Sequence, residues 1–142
     1  MKSTGHSTWK GTWKEGDGTI STDGNSLRNE PFSFASRFEN ASGASPEELF
    51  AAALAGCFNQ ALANNFGMNG LAAESVDTSV TAESGQGPDG MPAMLAVAVS
   101  CTAKVPGCST DMFHHCAEQA RTRCAIAKVL KLDLSMTTTL LD

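Results

Sequence analysis

The chain has 142 residues, of which 42% are hydrophobic, and a formal net charge of −5 at pH 7. This length predicts a single domain over residues 1–142, with a core that is poor in aromatic side chains. The acidic balance argues against nucleic acid or an anionic membrane as the main partner. No signal peptide or long apolar run is evident, so we expect a soluble, cytoplasmic protein. Five cysteines in such a chain fit a reducing compartment, where thiols are more often catalytic or metal-binding than structural.

The first predicted strand carries two tryptophans. Trp9 and Trp13 share one parity, which predicts a strand with an aromatic face. Residues 15–18 then favour a turn, and residues 19–22 a returning strand. The pattern predicts an opening β-meander.

Arg37 is the one arginine within an aromatic stretch, residues 32–38, that contains three phenylalanines. On local evidence it is a solvated side chain at a strand end, paired with Glu39. Its guanidinium is also a permanent cation with donors in a fixed fork, which suits a thiolate partner. The residues alone leave both interpretations open.

The strongest helix signal covers residues 45–64. Ser45 suits the N-cap, Pro46 suits the first helical position, and Glu48 completes a capping box. Cys57 lies 12 residues beyond the cap, where the helix dipole no longer acts on it. It is therefore either a small core residue or a reactive thiol that needs a cation from elsewhere.

Two further strands follow. Residues 76–82 alternate between apolar and polar side chains, and a loop is predicted at residues 85–90. Residues 95–105 keep their apolar side chains on one parity, which is the clearest strand signal in the chain. This pattern places Cys101 on the core face of the strand, where we expect it to be a structural residue of the hydrophobic core.

The last third of the chain predicts a helix, a break and a strand. The helix is capped by Ser109 or Thr110 and ends near Arg123. Residues 125–130 predict a second helical segment, and residues 132–140 alternate as a final strand. The predicted fold is α+β, with an antiparallel or mixed sheet wrapped around the helix of residues 45–64.

Two cysteines of this region differ in their surroundings. Cys116 falls on an apolar helical stripe and is expected in the core. Cys124 has four basic residues within seven positions: Arg121, Arg123, Lys128 and Lys131. Such a neighbourhood lowers a thiol pKa, although cations also simply favour a helix C-terminus.

A metal site is the rival explanation for the cysteines and histidines. Cys108, His114, His115 and Cys116 lie within nine residues of one another. Their spacing matches neither a CxxC pair nor the HExxH helix motif, so a metal-binding module remains the weaker alternative.

Three segments together resemble a known family. They are SPEELFAAALAGCFNQAL around Cys57, FSFASRFEN around Arg37 and RTRCAIAKVL around Cys124. These segments resemble the osmotically inducible protein C and organic hydroperoxide resistance (OsmC/Ohr) family of thiol peroxidases. The resemblance implies an OsmC-like α+β fold in an intertwined homodimer, with no cofactor and no metal.

The resemblance also implies residue roles. Cys57 would attack the hydroperoxide, Cys124 would resolve the sulfenic acid, and Arg37 and Glu47 would hold the Cys57 thiolate. The implied partners are a small organic hydroperoxide and an external thiol or dithiol reductant, such as a lipoyl-type dithiol. The arginine context matches the OsmC branch, because the Ohr branch carries its arginine near the first hairpin, where this chain has Lys14.

Two features qualify this resemblance. Ala125 stands where the family usually has proline after the second cysteine, so a non-catalytic binding or stress protein of the same fold stays an alternative. Glu47 and Cys57 are ten residues apart on one predicted helix, or roughly 15 Å along its axis. If both serve one site, Glu47 must come from a second copy of the chain.

Overall fold

Two three-stranded sheets and three helices make up the computed structural model, which describes residues 1–142. The strands are β1 (Gly5–Lys10), β2 (Asp17–Thr22), β3 (Glu30–Ser33), β4 (Ser75–Gln86), β5 (Pro92–Lys104) and β6 (Leu134–Leu141). The helices are α1 (Phe34–Phe38), α2 (Pro46–Met68) and α3 (Thr110–Arg123), with a 3₁₀ turn at Ala127–Val129. The α+β class predicted from the sequence is confirmed.

The chain forms two compact units, Met1–Leu49 and Phe50–Asp142. In the first unit, β1, β2 and β3 form an antiparallel meander, as predicted. β1 ends at Lys10, earlier than expected, because Gly11 takes a φ of 91°. Trp13 therefore lies in the following turn rather than on the strand face with Trp9.

The helix α1 corrects the expectation of an extended segment around Arg37. Ser33 and Ser36 form a reciprocal capping box, in which each hydroxyl accepts from the other residue's backbone N–H. These bonds satisfy the free donors at the helix start, so the chain turns helical at Phe34 despite its aromatic content. Arg37 consequently lies in the last turn of a short helix and not at a strand end.

The long helix α2 begins where the sequence predicts. The backbone N–H of Glu48 donates to Ser45 Oγ at 3.3 Å, which is the expected N-cap bond. The helix runs to Met68, four residues beyond the predicted end, before Gly70 adopts a φ of 71°. One face is fully buried, at Leu54, Phe58, Leu62 and Phe66.

The second unit is built on the sheet β4-β5-β6. β4 and β5 pair antiparallel, whereas β5 and β6 pair parallel and are joined through α3. The alternation predicted for β5 is confirmed, since Val97, Val99 and Cys101 are almost fully buried. Cys116 on α3 is also buried, as predicted.

The helix α3 has the predicted N-cap, because Ser109 Oγ accepts from the N–H of Met112. The predicted helical restart at residues 125–130 is wrong in extent, since only the 3₁₀ turn forms there. No helix in the structure is both long and apolar enough to cross a membrane.

Candidate active site

An aromatic cavity of about 330 Å³ lies in the first unit. Its lining residues are Trp9, Trp13, Phe32, Ser33, Phe34 and Arg37. The wall is therefore almost entirely aromatic and carries a single permanent cation. An aromatic wall with one cation suits a small molecule whose apolar part packs on the rings and whose polar group is oriented by the cation.

The cavity owes its shape to a row of three residues across the sheet. Gly18 pairs with Trp9 on one side and with Phe32 on the other. A Cβ on Gly18 would lie 2.8 Å from the Phe32 ring, and the Trp9 and Phe32 ring centroids are 5.1 Å apart. A glycine within a strand often marks such a close approach. Here it lets the two rings meet.

Trp13, Phe34 and Phe38 form the rest of the aromatic cluster. Trp13 contacts Phe34 edge-on at 4.9 Å between centroids and Phe38 at 6.2 Å. The Arg37 guanidinium carbon lies 4.9 Å from the Phe38 ring centroid, which is a cation–π contact. The aromatic rings thus support the guanidinium from one side.

Arg37 forms a forked ion pair with Glu47. Its Nε lies 2.9 Å and 3.1 Å from the two carboxylate oxygens, and its Nη2 lies 2.5 Å from Oε1. The Glu39 partner suggested by local sequence is therefore wrong. The Glu47 side chain is only 15% exposed and that of Arg37 is 35% exposed, so the pair is partly shielded from water. Bidentate geometry fixes the plane of the guanidinium.

The loop between α1 and α2 brings these two partners together. Ser36 Oγ donates to the carbonyl of Ala44 at 2.9 Å, and the Ala44 N–H donates to the carbonyl of Pro31 at 2.7 Å. Gly43 has a φ of 133°, and a Cβ there would lie 2.9 Å from the Pro31 carbonyl. The loop can close this tightly only with glycine at that position.

The electrostatics of Glu47 follow from its contacts. Partial burial raises the pKa of this carboxyl, but hydrogen bonds from Arg37, from its own backbone and from Ser45 outweigh burial and hold the pKa below its ordinary value of 4.5. Glu47 is therefore ionised at neutral pH, and the fork with Arg37 is a true ion pair.

Cys57 and Cys124 meet in the second unit. Cys124 belongs to a buried cluster with Leu54, Val97 and Leu134, and Cys57 packs against that cluster. Cys57 lies near enough to Cys124 to raise the pKa of its thiol. Cys57 is partly exposed, whereas Cys124 is 3% exposed. Both cysteines are free thiols in this structure.

The expectation that nearby cations lower the Cys124 pKa is wrong. Burial raises the pKa of this thiol, the Ala127 backbone N–H lowers it in part, and the neighbouring Cys57 side chain raises it again. The net pKa is above the ordinary value of 9.0. Arg121 is engaged elsewhere, since it pairs with Glu118 and donates to the carbonyl of Leu134 at 3.1 Å.

Ala125 does not prevent the helix from breaking after the second cysteine. Cys124 itself takes an extended conformation, with φ −61° and ψ 143°, and ends α3 as its C-cap. Its Sγ then accepts from the Ala127 N–H at 3.3 Å, and its carbonyl accepts from the Lys128 N–H at 3.1 Å. These bonds hold the thiol in place without a proline ring.

The proposed cluster of metal ligands near α3 does not converge. No group of three or more His, Cys, Asp or Glu residues has an arrangement that would hold a metal ion. His114 instead makes a hydrogen bond of 3.0 Å through Nδ1 with the Thr138 hydroxyl.

The sequence predicts four candidate site residues. The structure arranges them as two pairs, Arg37 with Glu47 and Cys57 with Cys124. The sequence did not predict that Trp9, Trp13 and Gly18 take part in forming the cavity. A glycine inside the returning strand was the available signal, because it marks a place where other groups approach the backbone closely.

The fold is one shared with solved structures of organic hydroperoxide resistance and OsmC-like proteins. The organic hydroperoxide resistance protein OhrB of Bacillus subtilis matches with a TM-score of 0.69 and 19% identity, over 97% of this chain and 98% of that one. An OsmC-like protein of unknown function from Vibrio cholerae matches with a TM-score of 0.77 and 18% identity, over 97% and 99%.

The sequence comparison places the chain within one family. A model of the OsmC-like protein family matches residues 39–139. The peroxiredoxin OsmC of Escherichia coli strain K12 is 33% identical over 132 residues, which are 93% of this chain and 92% of the relative. The chain belongs to the OsmC-like protein family, and the resemblance found in its motifs is confirmed.

The depressed Glu47 pKa gives a pH test of the ion pair. Because the folded pKa lies below 4.5, the carboxylate contributes stability that is fully present above 4.5 and is lost as the pH falls through the folded value. We expect Glu47→Gln to be less stable than the wild type at neutral pH, and the difference to shrink under acid. Urea unfolding at a series of pH values measures this difference. The exposed neighbour variant Glu48→Gln is the control, and a Glu47→Gln deficit that is constant with pH would contradict the assignment.

Proposed function

We propose that this protein is a cysteine-based peroxidase that reduces organic hydroperoxides, and hydrogen peroxide less efficiently, with electrons from an external thiol or dithiol. Membership of the OsmC-like family and the peroxiredoxin name of the Escherichia coli relative support a peroxide-related redox function. The observation that carries the proposal is the contact between Cys57 and Cys124 within one apolar cluster.

The different environments of the two thiols set their order of reaction. Cys57 is the more exposed, whereas burial keeps Cys124 protonated at neutral pH. A protonated Cys124 can donate a hydrogen bond to the Cys57 thiolate, as a resting enzyme requires. We therefore propose that Cys57 is the attacking thiolate and Cys124 the resolving thiol.

The reaction then follows thiol chemistry. The Cys57 thiolate attacks the distal oxygen of the hydroperoxide, the O–O bond breaks, and the alkoxide takes up a proton and leaves as the alcohol. Cys57 becomes a sulfenic acid. Cys124 loses its proton and attacks this sulfur, so water departs and a disulfide forms. An external dithiol reduces the disulfide by exchange, which restores both thiols.

The Arg37–Glu47 pair would supply the fixed positive charge. Glu47 occupies Nε and Nη2 of the guanidinium, which leaves Nη1 with no hydrogen bond in the chain. That donor is available to stabilise the Cys57 thiolate and the departing alkoxide. The Glu47 carboxylate orients the fork but does not touch the reacting atoms.

We propose that each site is shared between two protomers of a homodimer, in which the whole chain acts as one OsmC-like domain. Ten helical residues separate Glu47 from Cys57 along α2, or roughly 15 Å of rise, so one helix does not bring both to one small site. The exposed side of α2 carries small and polar residues, namely Ala53, Gly56, Gln60, Ala63 and Gly67. A Cβ on Gly56 or Gly67 would meet nothing within 4 Å. Such a face allows a second α2 to approach closely.

The aromatic cavity favours organic hydroperoxides. Its volume of about 330 Å³ is at the lower end of the range for small-ligand pockets. Burying an alkyl or aryl group contributes about 0.8 kcal/mol per methylene, a gain that hydrogen peroxide lacks. Arg37 in the same wall would direct the peroxide end of the substrate.

The two-thiol cycle is tested by serine variants. Cys57→Ser should abolish turnover of cumene hydroperoxide, whereas Cys124→Ser should complete a single turnover and leave a sulfenic acid on Cys57. Stopped-flow peroxide consumption and mass spectrometry with dimedone trapping measure both outcomes. Cys101→Ala removes a thiol outside the pair and should retain activity. Wild-type turnover in Cys57→Ser, or no Cys57–Cys124 disulfide after one equivalent of peroxide, would favour a non-catalytic binding protein.

The shared site is tested by complementation. Arg37→Ala alone should lose about 10²- to 10³-fold in rate, as expected for a lost electrostatic donor. Coexpressed with Cys57→Ser, it should recover about a quarter of wild-type activity, because half of the dimers are mixed and each has one intact site. Arg28→Ala, an exposed arginine of the same unit, is the control for Arg37→Ala. Absence of recovery in verified mixed dimers would show that each site lies within one protomer.

The cavity wall is tested at Trp13, whose 59% exposure makes its replacement compatible with folding. Trp13→Ala should lower kcat/KM for cumene hydroperoxide about tenfold, because an aromatic contact of about 1.4 kcal/mol is lost. The rate with hydrogen peroxide should change little, and Trp13→Phe should retain most of the preference. Equal losses with both peroxides would mean that the cavity does not select the substrate.

A further inference from the structure

The two serines of the α1 capping box differ in how their hydroxyl groups are used. Ser36 Oγ accepts from the Ser33 N–H at 2.9 Å, and its own proton has two acceptors, the carbonyls of Ser33 at 3.1 Å and Ala44 at 2.9 Å. Ser33 Oγ accepts from the Ser36 N–H at 3.1 Å, but no acceptor in the chain takes its proton. Since a hydroxyl can both accept and donate, Ser33 keeps one unused donor.

Ser33 is also part of the aromatic cavity. It is the N-cap residue of α1, and Arg37, four residues later, lines the same cavity. Of the six residues in the wall, Ser33 is the only one with a hydroxyl group. The bond from the Ser36 N–H fixes the Ser33 oxygen at the helix start, while its hydrogen can rotate about the Cβ–Oγ bond. The cavity that holds the guanidinium therefore also has a hydroxyl with a free proton.

The surroundings of Ser33 offer its proton no strong partner. Asp17 is the residue opposite it in the sheet, but this side chain is exposed and makes no hydrogen bond with Ser33. The neighbouring wall residues Phe32 and Phe34 present aromatic rings, which are weak acceptors. An oxygen atom of a molecule bound in the cavity would be a better acceptor than either ring.

We propose that Ser33 is a second donor of the active site, whose hydroxyl binds the proximal oxygen of the hydroperoxide beside Arg37. This inference rests on the proposed peroxidase function. When the Cys57 thiolate attacks the distal oxygen, the electron pair of the O–O bond passes to the proximal oxygen, which leaves as an alkoxide. Ser33 stabilises this negative charge as it develops and keeps its own proton, and a proton from solvent converts the alkoxide to the alcohol.

Two peroxides with different leaving groups test this role. Cumene hydroperoxide releases an alkoxide, whereas perbenzoic acid releases a carboxylate, whose delocalised charge needs less stabilisation. We expect Ser33→Ala to lower kcat/KM for cumene hydroperoxide by about 10- to 100-fold, and for perbenzoic acid by less than about threefold. Ser33→Thr keeps both the hydroxyl and the cap acceptor, so it should retain both rates. Stopped-flow measurement of peroxide consumption gives these values.

A second set of variants separates the donor from the cap. Ser36→Ala removes the other half of the capping box and the bond to the Ala44 carbonyl, but takes no hydroxyl from the cavity wall. It should therefore lower both rates by the same factor. Glycine is an acceptable N-cap, so Ser33→Gly should fold and should show the same selective loss as Ser33→Ala, as circular dichroism and kinetics can verify.

The outcomes distinguish this inference from the proposed function. Equal losses with the two peroxides in Ser33→Ala and Ser33→Gly, in a protein whose wild type is active, would overturn the role of Ser33 and leave the peroxidase function standing. A wild type that consumes neither peroxide would overturn the proposed function and this inference with it.

Discussion

The ion pair between Arg37 and Glu47 is the contact on which the candidate site depends. Removing charges from water is costly, and a partly buried guanidinium is stable only where a carboxylate satisfies its donors in good geometry. The bidentate ion pair meets this condition at the start of α2. Nη1 of Arg37 is left without a hydrogen bond. The capping box of α1 and the tight loop at Gly43 serve to bring the two side chains together. A short aromatic segment thereby becomes a rigid support for a positive charge.

The two candidate cysteines, Cys57 and Cys124, have an apolar setting instead. Cys57 and Cys124 pack in one apolar cluster, and burial there raises the pKa of the Cys124 thiol. In the proposed peroxidase, the raised pKa would protect Cys124 from direct oxidation, and a cation beside Cys57 would have to come from elsewhere. The proposed homodimer meets this need by adding the guanidinium of one protomer to the thiol pair of the other. Apolar surroundings and a fixed donor would then favour an apolar peroxide.

Five cysteines in 142 residues therefore divide by environment rather than by spacing. Cys101 is a core residue of β5, and the Cys57–Cys124 pair spans two elements that are far apart in the chain. Cys116 of α3 is buried in a separate core cluster, and Cys108 packs against that cluster. The Cys57–Cys124 pair and the other three cysteines are thus held in separate hydrophobic clusters.

Local rules were enough to predict the start of α2 at Ser45, the cap of α3 at Ser109 and the strand β5, because capping bonds and alternation involve neighbouring residues. The resemblance of three motifs to the family supplied the four candidate site residues as well. Only tertiary structure decided that Arg37 pairs with Glu47 instead of Glu39, and that burial raises the Cys124 pKa despite its basic neighbours. The physical reason is that ion pairing and desolvation depend on distances through space and on exclusion of water, which sequence separation does not measure.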